Sequence, residues 1–143
     1  MTIKIKRFDK DLPLPEYKTS GAACFDLAAR ETMEIAPHAI AYIPLNVVIE
    51  APAEHFLLLV PRSSTHKRGL MAANSVGIID PDYAGDDDEI KFACYNFTDK
   101  PVVVERGERI AQAMFIKVDR GEWEELEKME KGTRGGFGTT GNR

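Results

Sequence analysis

The sequence predicts an all-β protein, a sandwich or barrel of short strands rather than alternating βαβ units. Two observations carry this. Short apolar runs rich in β-branched and aromatic residues recur along the chain, as in residues 41–50 and 55–60. Turn-forming glycine and proline interrupt them at regular spacing.

Residues 3–8 alternate with period two and so form a strand with one wet face. Leu12-Pro13-Leu14-Pro15 is extended, because proline keeps the residue before it out of helix. Residues 20–29 crowd small and bulky apolar side chains around one acid, Asp26. An unpaired buried charge is costly, so Asp26 needs a partner. It either fixes a turn or subunit contact or lies near a bound cation. Residues 33–38 end a strand in a turn, and 41–50 and 55–60 are apolar strands. Arg62-Ser63-Ser64 opens the one short helix, with Ser63 or Ser64 as N-cap. A guanidinium, hydroxyls and free N–H groups suit an anion. Taken alone, they read as ordinary capping with exposed basic residues.

Residues 74–89 organise the remainder. Ile78-Ile79 reads as a strand end and Asp80-Pro81-Asp82 as a turn, with φ fixed at Pro81. The strand resumes over 89–95. This predicts a β-hairpin with an acidic tip and one aromatic, Tyr83, flanked by Gly77 and Gly85. Asp86 to Glu89 read as solvated acids. Asp80 follows an apolar strand end and is expected to be partly buried, which makes it a candidate general base. Further strands cover 102–104 and 109–118. Within the second, the Gln112 amide must be satisfied by cross-strand backbone or by a ligand. Residues 123–129 fit an extended stretch or one helical turn. Residues 132–143 read as a flexible, glycine-rich arm.

At 143 residues the chain is one domain with room for a core. A net charge of −4, without a dense basic stretch, argues against a nucleic-acid partner. No apolar run is long enough to cross a bilayer, and the alternating start is unlike a signal core, so no membrane association and a cytoplasmic location are expected. Cys24 and Cys94 read as free buried thiols. His38, His55 and His66 lack zinc-ligand spacing.

The order of these segments carries more than any one of them. Ala23-Cys24-Phe25-Asp26-Leu27, Pro61-Arg62-Ser63-Ser64, residues 74–85, Gly107-Glu108-Arg109-Ile110-Ala111-Gln112 and residues 134–141 resemble the five-motif series of the trimeric dUTP pyrophosphatase (dUTPase) family. The resemblance implies a jelly-roll or distorted β-barrel domain over 1–131, with an extended arm, 132–143, that closes over an active site. It implies a homotrimer with sites shared between chains. The implied reaction is hydrolysis of dUTP to dUMP and pyrophosphate with Mg2+ on the triphosphate, which limits uracil in DNA and supplies dUMP.

By the same resemblance Asp80 activates the attacking water, and Tyr83 lies under the deoxyribose. Asn74, with hairpin backbone at Gly77 and Ile79, reads the uracil edge. Arg62, Ser63, Ser64 and Gln112 match phosphate-contacting positions. Asp26 matches a carboxylate acting on the metal through water. Arg134, Phe137, Gly138, Thr139 and Thr140 match the closing arm, with Phe137 over the uracil. The chain departs from many relatives in the acids of 86–89, read as an enlarged solvated loop, and in the basic Thr65-His66-Lys67-Arg68. Two other readings are a dCTP deaminase-type enzyme and a non-catalytic jelly-roll nucleotide-binding module. The first needs a glutamate near Ala93, where Phe92-Ala93-Cys94-Tyr95-Asn96 has no acid. The second is expected to have lost Asp80, Arg62 or Phe137, and all are present.

Overall fold

Alternation along each strand decides which side chains meet the core. In a computed structural model, which describes residues 1–139 and 141, this pattern builds eleven strands. They are β1 (Lys4–Arg7), β2 (Phe25–Ala28), β3 (Met33–Ile35), β4 (Ile40–Pro44), β5 (Val47–Glu50), β6 (His55–Pro61), β7 (Leu70–Ala72), β8 (Gly77–Ile79), β9 (Lys91–Asn96), β10 (Val102–Val104) and β11 (Arg109–Lys117). One 3-10 turn, Thr65–Arg68, joins β6 to β7.

The strands pair antiparallel throughout. A four-stranded sheet runs β2-β11-β6-β8 and a three-stranded sheet runs β4-β9-β7. The pairs β1-β5 and β3-β10 complete a jelly-roll whose sheets do not join into a closed barrel. Both larger sheets feed one apolar core. Phe25 and Leu27 enter it from β2, Leu57 and Leu59 from β6, Ala111 and Ala113 from β11, Ile43 from β4, and Phe92 and Cys94 from β9. Each is the inward member of a period-two pair. Leu27 is 1% exposed, so truncation to alanine would cost about 3 kcal/mol.

The all-β reading holds, with three corrections to the elements. Residues 41–50 are two strands, because Asn46 takes a positive φ of 73° and redirects the chain. β4 can then pair with β9 while β5 pairs with β1. The bend is locked by the Asn46 side chain, which accepts from the Asp9 N–H (2.7 Å) and donates to the Asp9 carbonyl (3.0 Å). β7 is too short to give a periodic signal. The third correction concerns the hairpin expected between Ile79 and Ile90. β8 pairs with β6 and β9 pairs with β4 and β7, so the acidic segment crosses between sheets.

Beyond β11, residues 119–139 form no helix or strand. Trp123, expected on an extended or helical stretch, is wholly exposed.

Candidate active site

Three adjacent strands put the first cluster on one outer face. Gln112 on β11 lies opposite Asp26 on β2 and opposite Val60 on β6, so these point away from the core that Ala111 and Ala113 enter. Arg62 follows two residues after Val60 and keeps that side. Arg109 has the parity of the buried Ala111 and would face inward in a regular strand. The register slips between Arg109 and Ala111, placing Arg109 opposite Ala28 and on the Asp26 face. Both guanidiniums then meet one carboxylate. Arg62 Nε donates to Asp26 Oδ1 at 3.0 Å, and Arg109 Nη1 donates to Asp26 Oδ2 at 2.8 Å. The Asp26 side chain is 13% exposed, so these bonds form in a partly desolvated place. Cys24, two residues away, is driven toward its protonated form by burial and then by the Asp26 charge. The Gln112 amide donates to the Pro61 carbonyl at 3.0 Å, the cross-strand backbone partner among its two predicted options.

The turn after β6 is welded to this face. Buried Thr65 accepts from the Arg62 N–H (2.9 Å) and donates to the Ile110 carbonyl (3.2 Å). The predicted helix is therefore a single 3-10 turn starting at Thr65. Ser64 occupies its N-cap without a side-chain capping bond, and Ser63 is exposed. Arg68 pairs with Glu108 and donates to the Val103 carbonyl (2.6 Å). A cleft of about 450 Å³ opens between the turn and the start of β11. Arg62, Lys67, Arg68 and Arg109 line it against one acid, Glu108. With Asp26 behind Arg62 and Arg109 counted as well, four cations still face two acids, an excess of positive charge that suits a polyanion.

The second cluster hangs on edge strand β8. Asn74 is exposed in the turn between β7 and β8, where Ser75 adopts φ 65° and the Ala72 carbonyl accepts from the Ser75 N–H. Gly77 lies against Leu59, and an added Cβ would come within 3.1 Å of the Leu59 Cβ. Ile79 packs onto the core while Ile78 stays exposed. The predicted turn is present: the Tyr83 N–H donates to the Asp80 carbonyl at 3.0 Å, across Pro81 and Asp82. Asp80 was expected to be part-buried. It is exposed, because β8 is an edge strand with no neighbour on that side among the described residues. Tyr83 donates its hydroxyl proton to the Glu89 carbonyl at 3.1 Å.

The acids that follow are not simply solvated. Asp86 pairs with Lys6 at 2.7 Å, and Asp88 accepts from the Gly85 N–H at 2.7 Å. Glu89 is 6% exposed and chelated by Arg30.

The arm presents its groups without packing them. Arg134 and Phe137 are exposed among the described residues, and Phe137 has φ 51°. Gly138 has φ 89°, and the Thr139 hydroxyl accepts from the Gly136 N–H at 2.6 Å. Thr140 lies outside the described residues.

The chain thus brings together Asp26, Arg62 and Gln112, with Ser63 and Ser64 close by. It groups Asn74, Gly77, Ile79, Asp80 and Tyr83 separately, and it leaves the arm apart from both. Arg109 and Glu89 escaped the sequence reading. Arg109 carried a weak signal, a lone cation at the mouth of an apolar strand, but the bulge that aims it is invisible in composition. No three His, Cys, Asp or Glu side chains among the described residues gather as a metal site. Asp26 alone, with one guanidinium on each oxygen and lone pairs to spare, fits a magnesium ion carried by a phosphate ligand and met through water.

The family model described as dUTPase matches residues 10–141. A deoxyuridine 5'-triphosphate nucleotidohydrolase of Dictyoglomus turgidum is 40% identical, over 97% of each chain. One from Hydrogenobaculum sp. is 37% identical over 99% of each. Among solved structures, the dUTPase of Streptococcus mutans superposes with a TM-score of 0.76 at 34% identity, covering 83% of this chain and 98% of that one. The Staphylococcus bacteriophage 80alpha dUTPase with dUPNHPP gives a TM-score of 0.85 over 98% of each chain, at 23% identity a likeness of fold. Matched over nearly its whole length by the family model and by relatives of this identity, the chain belongs to the dUTPase family.

Proposed function

We propose that this chain catalyses its family's reaction, the hydrolysis of dUTP to dUMP and pyrophosphate, in sites assembled from more than one copy of itself. The register supports the sharing. Ile79 lies opposite Leu57 on β6, so Asp80 is level with Phe56, six residues before Arg62. At about 3.3 Å per residue that is ~20 Å along the strand, further than one triphosphate bridges. Arg62 of one copy and Asp80 of another are the pair that would meet. A homotrimer with three shared sites is the assembly we adopt.

In each site Arg62 and Arg109, aimed by Asp26, hold the phosphate oxygens with Ser63, Ser64 and Gln112. The basic cleft is the single observation that carries this reading. A magnesium ion on the triphosphate, met by Asp26 through water, would neutralise phosphate charge. Asp80 accepts a proton from the attacking water, the new oxygen–phosphorus bond forms at the α-phosphorus, and the bond to the leaving pyrophosphate breaks. Tyr83 lies under the deoxyribose and leaves no space for a 2′-hydroxyl. Asn74 and the backbone at Gly77 and Ile79 read the uracil edge, where cytosine would leave buried polar groups unpaired. The arm, with Arg134, Phe137, Gly138, Thr139 and Thr140, closes over the nucleotide, stacks Phe137 on the uracil and excludes bulk water. We place the reaction in the cytoplasm, without nucleic-acid or membrane partners.

Pyrophosphate release from dUTP at low enzyme concentration, with dCTP in parallel, tests the proposal. Pyrophosphate from dUTP and no ammonia from dCTP is the expected result. Ammonia from dCTP without pyrophosphate from dUTP would refute it.

A further inference from the structure

The acids of 86–89 read from sequence as an enlarged solvated loop, yet the last of them, Glu89, is buried. Arg30 Nε donates to Glu89 Oε2 at 2.8 Å and Arg30 Nη2 donates to Oε1 at 3.0 Å, a two-point fork. The Asn46 backbone N–H donates to Oε2 at 2.8 Å. One carboxylate therefore ties the residues after β2 and the β4–β5 bend to the loop before β9. The Glu89 N–H donates to the Asp87 carbonyl at 2.9 Å, and the next residue joins a ladder with Leu45 and Val47. The Glu89 backbone is thus fixed on every side, and its carbonyl accepts the Tyr83 hydroxyl proton at 3.1 Å. Tyr83 is held at its other end by its own N–H on the Asp80 carbonyl. Its ring spans from the edge strand to a seat built by the Arg30–Glu89 pair.

We infer that Glu89 and Arg30 are positioning residues for sugar selectivity: their ion pair fixes the height and tilt of the Tyr83 ring through its hydroxyl. This rests on the reading of Tyr83 as the residue under the deoxyribose. Sterically excluding one hydroxyl demands a ring that cannot yield, and a pocket that merely adapts discriminates weakly. A tyrosine anchored only through its own backbone would tilt to admit a 2′-hydroxyl.

Glu89→Gln tests this with nearly unchanged volume, because an amide nitrogen facing the Arg30 fork sets donor against donor. The readout is the ratio of kcat/KM for dUTP to that for UTP, which a purely structural role would not move. The ratio should fall about tenfold, part of the roughly hundredfold that a hydroxyl alone contributes in such pockets. Tyr83→Phe, which removes only the anchoring hydroxyl, should lower it similarly. The double variant should fall no further than Tyr83→Phe, since Glu89 acts through that hydroxyl. If Glu89→Gln does not fold, Arg30→Lys keeps the charge, loses the fork and should lower the ratio by a smaller factor.

A wild-type ratio in Glu89→Gln, or in both Arg30→Lys and Tyr83→Phe, overturns the inference, as do additive effects in the double variant. Tyr83→Ala separates the levels. A lost ratio there with an intact one in Glu89→Gln overturns this inference alone. An intact ratio in Tyr83→Ala overturns the sugar-facing reading and this inference with it.

Discussion

Replacing Asp26 with asparagine distinguishes two jobs for that carboxylate. As the clamp for Arg62 and Arg109 it accepts two charge-assisted hydrogen bonds, at 3.0 and 2.8 Å. Bonds of this kind contribute about 1.5–3 kcal/mol each when desolvated. The Arg62 side chain is 27% exposed and deserves most of that value, whereas Arg109 is 45% exposed and falls near the surface figure of about 0–1 kcal/mol. Asparagine keeps one acceptor, so the net loss should be about 2 kcal/mol, or a melting point lower by about 7 °C for a chain of 143 residues. Two guanidiniums left unaimed should also lower kcat/KM by about a hundredfold, because small misplacement of a phosphate-holding group is costly. The assay is steady-state dUTP hydrolysis at rising magnesium, beside thermal melts of the nucleotide-free protein. The clamp predicts a deficit that excess magnesium does not restore. Full recovery of activity by magnesium, with an unchanged melting point, would show that Asp26 serves the metal alone and not as a clamp.

Asp80→Asn should lower turnover about a thousandfold while calorimetry still shows dUTP binding near wild type, since an amide cannot accept the water proton. Wild-type turnover would remove Asp80 as the base. Tyr83→Ala should weaken discrimination against UTP more than it weakens dUTP hydrolysis, as read from kcat/KM for both nucleotides. A chain ending at Lys131 should fold, assemble and bind dUTP weakly, yet turn over far more slowly, because the contact energy is spent in ordering the arm. Near-normal kinetics would make the arm a plain linker. Burial pushes the Cys94 thiol up to about 12 from 9.0. Its raised value favours the protonated folded state, a contribution intact below pH 9 and lost as pH rises toward 12. The denaturant midpoint of the wild type should therefore fall more steeply above pH 9 than that of Cys94→Ala. Parallel curves would contradict this.

What the sequence made legible followed from period and from turn chemistry. Asp26 sits among apolar neighbours, so its need for a partner was readable, and Arg62 and Arg109 meet it. The Asp80–Tyr83 turn was readable because Pro81 sets its backbone. Features that depend on pairing were not readable. A hairpin and a crossing between sheets look alike in the residues of 79–90, since strand partners are chosen by long-range packing. The Asn46 bend was hidden inside an unbroken apolar run, where only a positive φ separates one long strand from two. Glu89 looked like its exposed neighbours because its partner, Arg30, lies 59 residues away. Asp80 looked part-buried because sequence gives the apolar strand before it, and not the edge position of that strand.

In the shared site we propose, Arg62 and Asp80 come from different chains. Mixing two inactive proteins tests it most directly. The Arg62→Ala and Asp80→Asn proteins, unfolded together and refolded at equal ratio, should regain activity that neither shows alone. A random assortment completes about one site in four with both native residues, so about a quarter of wild-type activity is the predicted yield. Refolded mixtures that stay as inactive as their parents, while wild-type protein put through the same procedure recovers, would contradict the shared site.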